Sequence, residues 1–106
     1  MNKIDQDSFG LSHRDTQTIR NVFIEYPLVT LVYIFGSRAK NTFHSGSDID
    51  LAIMNTGVDH SLFIQIKREF DNSNLPFFID LVNFPELTHP EFIDHINRVG
   101  KIFYKK

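Results

Sequence analysis

Apolar residues change their spacing several times along the chain, and each change marks an element. Ile19, Val22, Phe23 and Tyr26 recur at i, i+3, i+4 and i+7, the stripe of an amphipathic helix. Ser12 and Asp15 precede that stripe in the Ser-x-x-acid spacing of a helix cap, and Pro27 closes it. Leu28 to Phe35 is then a nearly unbroken β-prone run, long enough for a strand buried on both faces and ended by Gly36. Residues 37–46 are polar and small, with Asn41, Ser45 and Gly46 as turn formers. A second apolar strand is expected from about Ser47 to Met54, and two acids fall inside it.

Asn55-Thr56-Gly57 breaks that strand, and Leu62, Phe63, Ile66 and Phe70 mark one face of a helix expected over about 59–71. Phe77 to Val82 reads as a third strand with one carboxylate in its middle. A last helix is expected to open around Pro90, to bury Phe92, Ile93, Ile96 and Val99, and to stop at Gly100. Lys101 to Tyr104 suits a short edge strand. The order helix, strand, strand, helix, strand, helix predicts a small mixed β-sheet flanked by helices, in the α/β or α+β class, with residues 1–106 as a single domain.

Composition narrows the function. A chain of 106 residues builds one core and little more, which leaves a partner or a second copy to complete the wall around a substrate. Eleven Phe and no Trp give aromatic mass without a polar handle, so the rings are read as packing rather than as stacking platforms for bases. The formal charge of -2 argues against a broad electrostatic grip on long nucleic acid. The absence of cysteine excludes disulfides and thiol catalysis. Met1 to Asp7 lacks the apolar core of a signal peptide and no long apolar run follows, so the cytoplasm is the expected location and no membrane is implied.

The chemistry lies where acids interrupt strands. Asp48 and Asp50 are two apart on a strand, so their side chains emerge on one face, close enough to share a ligand. Like charges in a partly buried strand call for a compensating cation, and a divalent metal is the simplest one. Asp80 repeats the anomaly between Ile79 and Leu81, although a solvated strand face explains a single acid as well. Three such carboxylates would make a hard oxygen site suited to Mg²⁺. Gly36, at the end of a buried strand, has no Cβ and lets a phosphate approach the backbone, while Ser37 adds a hydroxyl at the start of an expected helical turn. Arg38 and Lys40 stand just beyond and could neutralise triphosphate charge, with a solvated surface role equally open for Lys40. The histidines His13, His44, His60, His89 and His95 show no zinc-site spacing, and only His44, in the loop between the motif halves, has a route to substrate.

Gly36-Ser37, ten residues, then Asp48-Ile49-Asp50 resembles the signature of the polymerase beta type nucleotidyltransferase superfamily. Phe35-Gly-Ser-Arg-Ala-Lys with Ser47-Asp-Ile-Asp-Leu resembles its minimal branch more closely. Phe9 to Ser12, Leu75-Pro76 before Ile79-Asp80-Leu81, and Ile96 to Lys101 extend the likeness over nearly the whole chain. Asn41 departs from it where many relatives carry Gly, and Asn tolerates the left-handed backbone better than most residues. The resemblance implies a palm-like fold, metals at Asp48, Asp50 and Asp80, and nucleotide phosphates at Gly36 and Ser37, with Arg38 and Ser47 placed among the nucleotide-binding residues. It further implies two Mg²⁺ ions, ATP as substrate and a helical HEPN-type partner in a toxin–antitoxin pair, modified with AMP on a tyrosine. Two other readings stand beside that one: adenylyl transfer to a small hydroxylated molecule such as an aminoglycoside, and a non-catalytic antitoxin subunit acting by contact.

Overall fold

A computed structural model of the protein describes residues 8–106. The polar stretch Met1 to Asp7, and with it the reading on signal peptides, lies outside them. Helix α1 (His13–Ile24) opens as its cap requires, with Asp15 N–H donating to Ser12 Oγ at 3.0 Å. Strand β1 (Leu31–Phe35) is followed without a break by α2 (Gly36–Ala39), a single turn. Strand β2 is Ile49–Ile53, α3 is His60–Asp71 capped by Asp59, β3 is Ile79–Asn83, α4 is Pro90–Val99, and β4 is Lys101–Lys105.

The four strands form one mixed sheet in the order β3-β2-β1-β4. β1 runs antiparallel to both β2 and β4, whereas β2 and β3 are parallel, joined through the α3 crossover. Alternation along the strands sends Val32, Ile34, Ile49, Leu51, Ile53, Ile79 and Leu81 to one face, where α1 and α3 cover them with Ile19, Phe23, Phe63, Ile66 and Phe70. At the seam of the two helices the Tyr26 hydroxyl donates to the Glu69 carboxylate. The opposite face is covered only in part: α4 packs Ile96 against Phe35 and Ala52. Phe92, Ile93 and Val99 stay half-buried, so the apolar stripe of α4 is shallower than its spacing predicts.

Strand boundaries differ from the sequence reading in three places, and β3 starts at Ile79 rather than Phe77. Leu28 to Thr30 stay outside β1 because the Asn55 side chain takes their backbone: its Oδ1 accepts from Thr30 and Leu31 N–H and its Nδ2 donates to Leu28 carbonyl. β2 begins at Ile49, so Asp48 stands at the strand entrance and only Asp50 lies within it. The turn at Asn41 is left-handed, with φ of 62°, as its residue type allows.

Candidate active site

The half-covered face of the sheet carries the acids. Asp50 and Asp80 are register partners on the parallel pair β2 and β3, and Phe35, the last residue of β1, pairs with Asp50 on the other side. The chain leaves Phe35 directly into Gly36 at φ of +72°, a conformation that L side chains resist. A Cβ on Gly36 would lie 2.2 Å from Asp50 Oδ2. The glycine therefore makes room first for the Asp50 carboxylate, a contact the sequence alone did not suggest.

Ser37, His44, Gly46, Ser47, Asp48 and Asp50 line one open cavity of about 460 Å³. The expected juxtaposition of the Gly-Ser turn with the paired acids is thus present. Asp80 does not line this cavity; its backbone borders a groove of about 410 Å³ at the outer edge of β3, while alternation with the buried Ile79 and Leu81 sends its side chain to the same sheet face as Asp50. Among the described residues no group of three or more His, Cys, Asp or Glu side chains converges closely enough to hold a metal ion. The three expected carboxylates are therefore not closed into one ligand group, although the charges of Asp80 and Asp48 both reach Asp50. Burial, then the charges of Asp80 and Asp48, push the Asp50 carboxyl from an ordinary 3.8 up to about 6, against a pull downward from Arg38. Hard oxygen donors bearing such unrelieved repulsion fit a divalent cation such as Mg²⁺.

Arg38 is where the structure corrects the sequence reading most. It is 2% exposed, and its guanidinium donates from Nη1 to Phe9 carbonyl at 2.8 Å and from Nε and Nη2 to Ser47 carbonyl at 3.2 and 2.9 Å. Phe43 and Phe77 lie over the same group, 5.1 and 4.9 Å away to their ring centres. A side chain so enclosed cannot present its donors to a phosphate; it ties the segment before α1 and the entrance of β3 to the loop that carries Asp48. Burial holds its pKa below the ordinary arginine value, opposed by Asp48 and Asp50. Ser47 is likewise occupied in the loop, its Oγ accepting from His44 N–H at 3.0 Å, although it still lines the cavity. Lys40 is exposed and outside the cavity lining. That leaves His44 as the one residue of the lining able to carry positive charge. Phe9, Phe43 and Phe77, which enclose Arg38, carry no chemical signal in sequence beyond being apolar.

A family model described as polymerase beta, nucleotidyltransferase matches residues 17–106. No curated protein sequence matches the chain. Among solved structures, a toxin–antitoxin complex with AMP-PNP resembles it with a TM-score of 0.68 at 24% identity, over 86% of this chain and 73% of that one. The toxin–antitoxin complex MntA-HepT does so at 0.64 and 20% identity, over 90% and 74%. A tri-AMPylated HEPN toxin of Shewanella oneidensis in complex with an MNT antitoxin gives 0.57 and 22%, over 86% and 73%. These likenesses are likenesses of fold.

Proposed function

Since the chain belongs to the polymerase beta nucleotidyltransferase family, we propose that it transfers AMP from ATP, with Mg²⁺, to a hydroxyl, the acceptor being a tyrosine of a HEPN-type helical partner. The observation that carries this reading is the meeting of Ser37 with Asp48 and Asp50 in one cavity, with Asp80 as the register partner of Asp50 on the next strand. Gly36 and Ser37 hold the phosphates, and Asp48, Asp50 and Asp80 are the carboxylates that would bind the cations. Such ions, when bound there, would supply charge stabilisation for an in-line displacement at phosphorus. The acceptor oxygen bonds to the α-phosphorus, the bond from that phosphorus to the bridging oxygen breaks, and pyrophosphate leaves with the electron pair. Asp80 orients the acceptor hydroxyl and receives its proton.

The partner reading draws its support from the fold neighbours, in which MNT antitoxins are held with HEPN toxins, one of them tri-AMPylated. Residues 1–106 act in this reading as one catalytic domain, placed in the cytoplasm; among the described residues no helix is long and apolar enough to cross a membrane. Incubation of the purified chain with Mg²⁺, α-labelled ATP and a co-purified HEPN-type protein should label that protein on tyrosine. Asp48→Asn with Asp50→Asn should abolish the label. An unlabelled partner in the wild-type reaction sinks the proposal, and full neutralisation of the partner by the double variant favours the non-catalytic antitoxin.

A further inference from the structure

We infer that Lys101 is a positioning residue for the nucleotide: its ammonium clamps the last carbonyl of α2 and so holds in shape the turn that presents Ser37. This rests on the reading above that Gly36 and Ser37 hold the phosphates, and adds to it a residue from the far end of the chain.

A single helical turn does not stand on its own, because the cost of nucleating a helix is recovered only over several turns. α2 has four residues, Gly36–Ala39, and each of its carbonyls belongs to a helix end that must find a partner beyond the turn. Three find one in the next few residues. Gly36 carbonyl accepts from Lys40 N–H at 3.1 Å, Ser37 carbonyl from Thr42 N–H at 3.0 Å, and Arg38 carbonyl from Asn41 N–H at 3.4 Å. Ala39 carbonyl, the last, instead accepts from Lys101 Nζ at 3.0 Å, across 62 residues of sequence. A lysine on a terminal carbonyl makes a charge-assisted bond, stronger than its neutral neighbours.

The packing around Lys101 fixes where its side chain starts. It opens β4 as the register partner of Ile34, two residues ahead of Gly36 on β1. Gly100 delivers the chain to that point: a Cβ there would lie 2.5 Å from the Ile96 carbonyl oxygen and 2.7 Å from Tyr33 Cδ2, so the exit from α4 is pressed against β1. Arg38 already fastens the middle of the turn to the Phe9 and Ser47 carbonyls, and Lys101 fastens its end to β4. Lys101 does not line the Ser37 cavity, so it acts on a nucleotide through α2 rather than by touching it. Its exposure means that removing it empties no core.

The chain contains no cysteine, so Lys101→Cys carries a single thiol. Calorimetric binding of a non-hydrolysable ATP analogue with Mg²⁺ should weaken about tenfold in this variant, because apparent affinity falls with the fraction of molecules that hold the competent turn. Alkylating the thiol to an aminoethyl group rebuilds an ammonium of lysine length and should restore the affinity. A trimethylammonioethyl group, which returns the charge without an N–H donor, should not. Hydrogen exchange at the Lys40 and Thr42 amides should speed up in Lys101→Cys and slow again on aminoethylation, while exchange in β1 and the Tm stay near wild type. Lys105→Cys, at the other end of β4, should bind the analogue as wild type does. Unchanged affinity in Lys101→Cys, equal rescue by the two alkyl groups, an equal loss in Lys105→Cys, or exchange that rises as much in β1 as in α2 overturns the clamp and leaves nucleotidyl transfer standing. A wild-type chain that binds no ATP analogue removes the phosphate reading, and the inference with it.

Discussion

Replacing Arg38 by Met separates a structural arginine from a substrate-binding one. Methionine keeps much of the side-chain volume and removes the fork of donors. The Ser47 and Phe9 carbonyls then lose their partners, at about 1 kcal/mol each for part-buried acceptors. The loss of the guanidinium between Phe43 and Phe77 removes about 1 kcal/mol per ring. Relief from burying a charge returns about 1 kcal/mol. The net destabilisation is about 3 kcal/mol, equivalent to a fall in Tm of about 13 °C for a domain of this size. Urea denaturation followed by circular dichroism measures it, with an unchanged m-value showing that stability alone has moved. Arg38→Lys should recover less than half, because a single ammonium cannot span two carbonyls in the planar geometry of the fork. A variant within about 0.5 kcal/mol of wild type refutes this account. If that variant also showed a raised KM for ATP, the guanidinium would belong with the phosphates after all.

Asp50→Asn should abolish transfer yet raise the Tm by a few degrees, since it removes a charge that burial, and then the repulsion of Asp80 and Asp48, disfavours enough to lift this carboxyl to about 6. The folded-state value lies above the ordinary 3.8, so the stability linked to this group is fully present below about 4 and is lost as pH rises through about 6. Metal-free wild type should therefore lose stability across that window in thermal melts, and Asp50→Asn should not. Gly36→Ala should destabilise by about 1–3 kcal/mol and depress transfer, through its positive φ and a methyl 2.2 Å from Asp50 Oδ2; unchanged stability in denaturant titration would contradict that geometry. His44→Ala should leave the Tm unchanged, because the side chain is exposed, while raising the KM for ATP several-fold in a steady-state assay at fixed Mg²⁺.

Periodicity was informative wherever one face of an element is buried. The i, i+3, i+4 stripes of α1 and α3 and the apolar runs of β1, β2 and β3 each became the element they suggest, and Ser12 caps α1 as its spacing implies. The boundaries shifted where a distant side chain intervenes, as Asn55 does at Leu28 to Thr30, because no local pattern encodes a hydrogen bond across 25 residues. The Gly36, Ser37, Asp48 and Asp50 constellation was legible because acids and glycine are anomalous in apolar strands. Arg38 was misread for the converse reason. An arginine beside a phosphate-type turn looks like a ligand contact, and only the fold reveals that Phe43 and Phe77, far apart in sequence, close over it.

The parallel union of β2 and β3 has a kinetic side. Asp50 and Asp80 occupy one rung only after α3 has swung the chain over the sheet, whereas β1 and β2 pair antiparallel across the connection that carries α2. Even the β1–β2 connection spans residues 36–48, but the crossover between β2 and β3 spans residues 54–78, and the less local parallel pairing is the slower event. The carboxylates thus confront one another late in folding, when most of the core is already committed, and their repulsion speeds unfolding more than it slows the search for the native state. A cation that bridges them would act as a latch, lengthening the life of the closed crossover rather than helping the chain to find it.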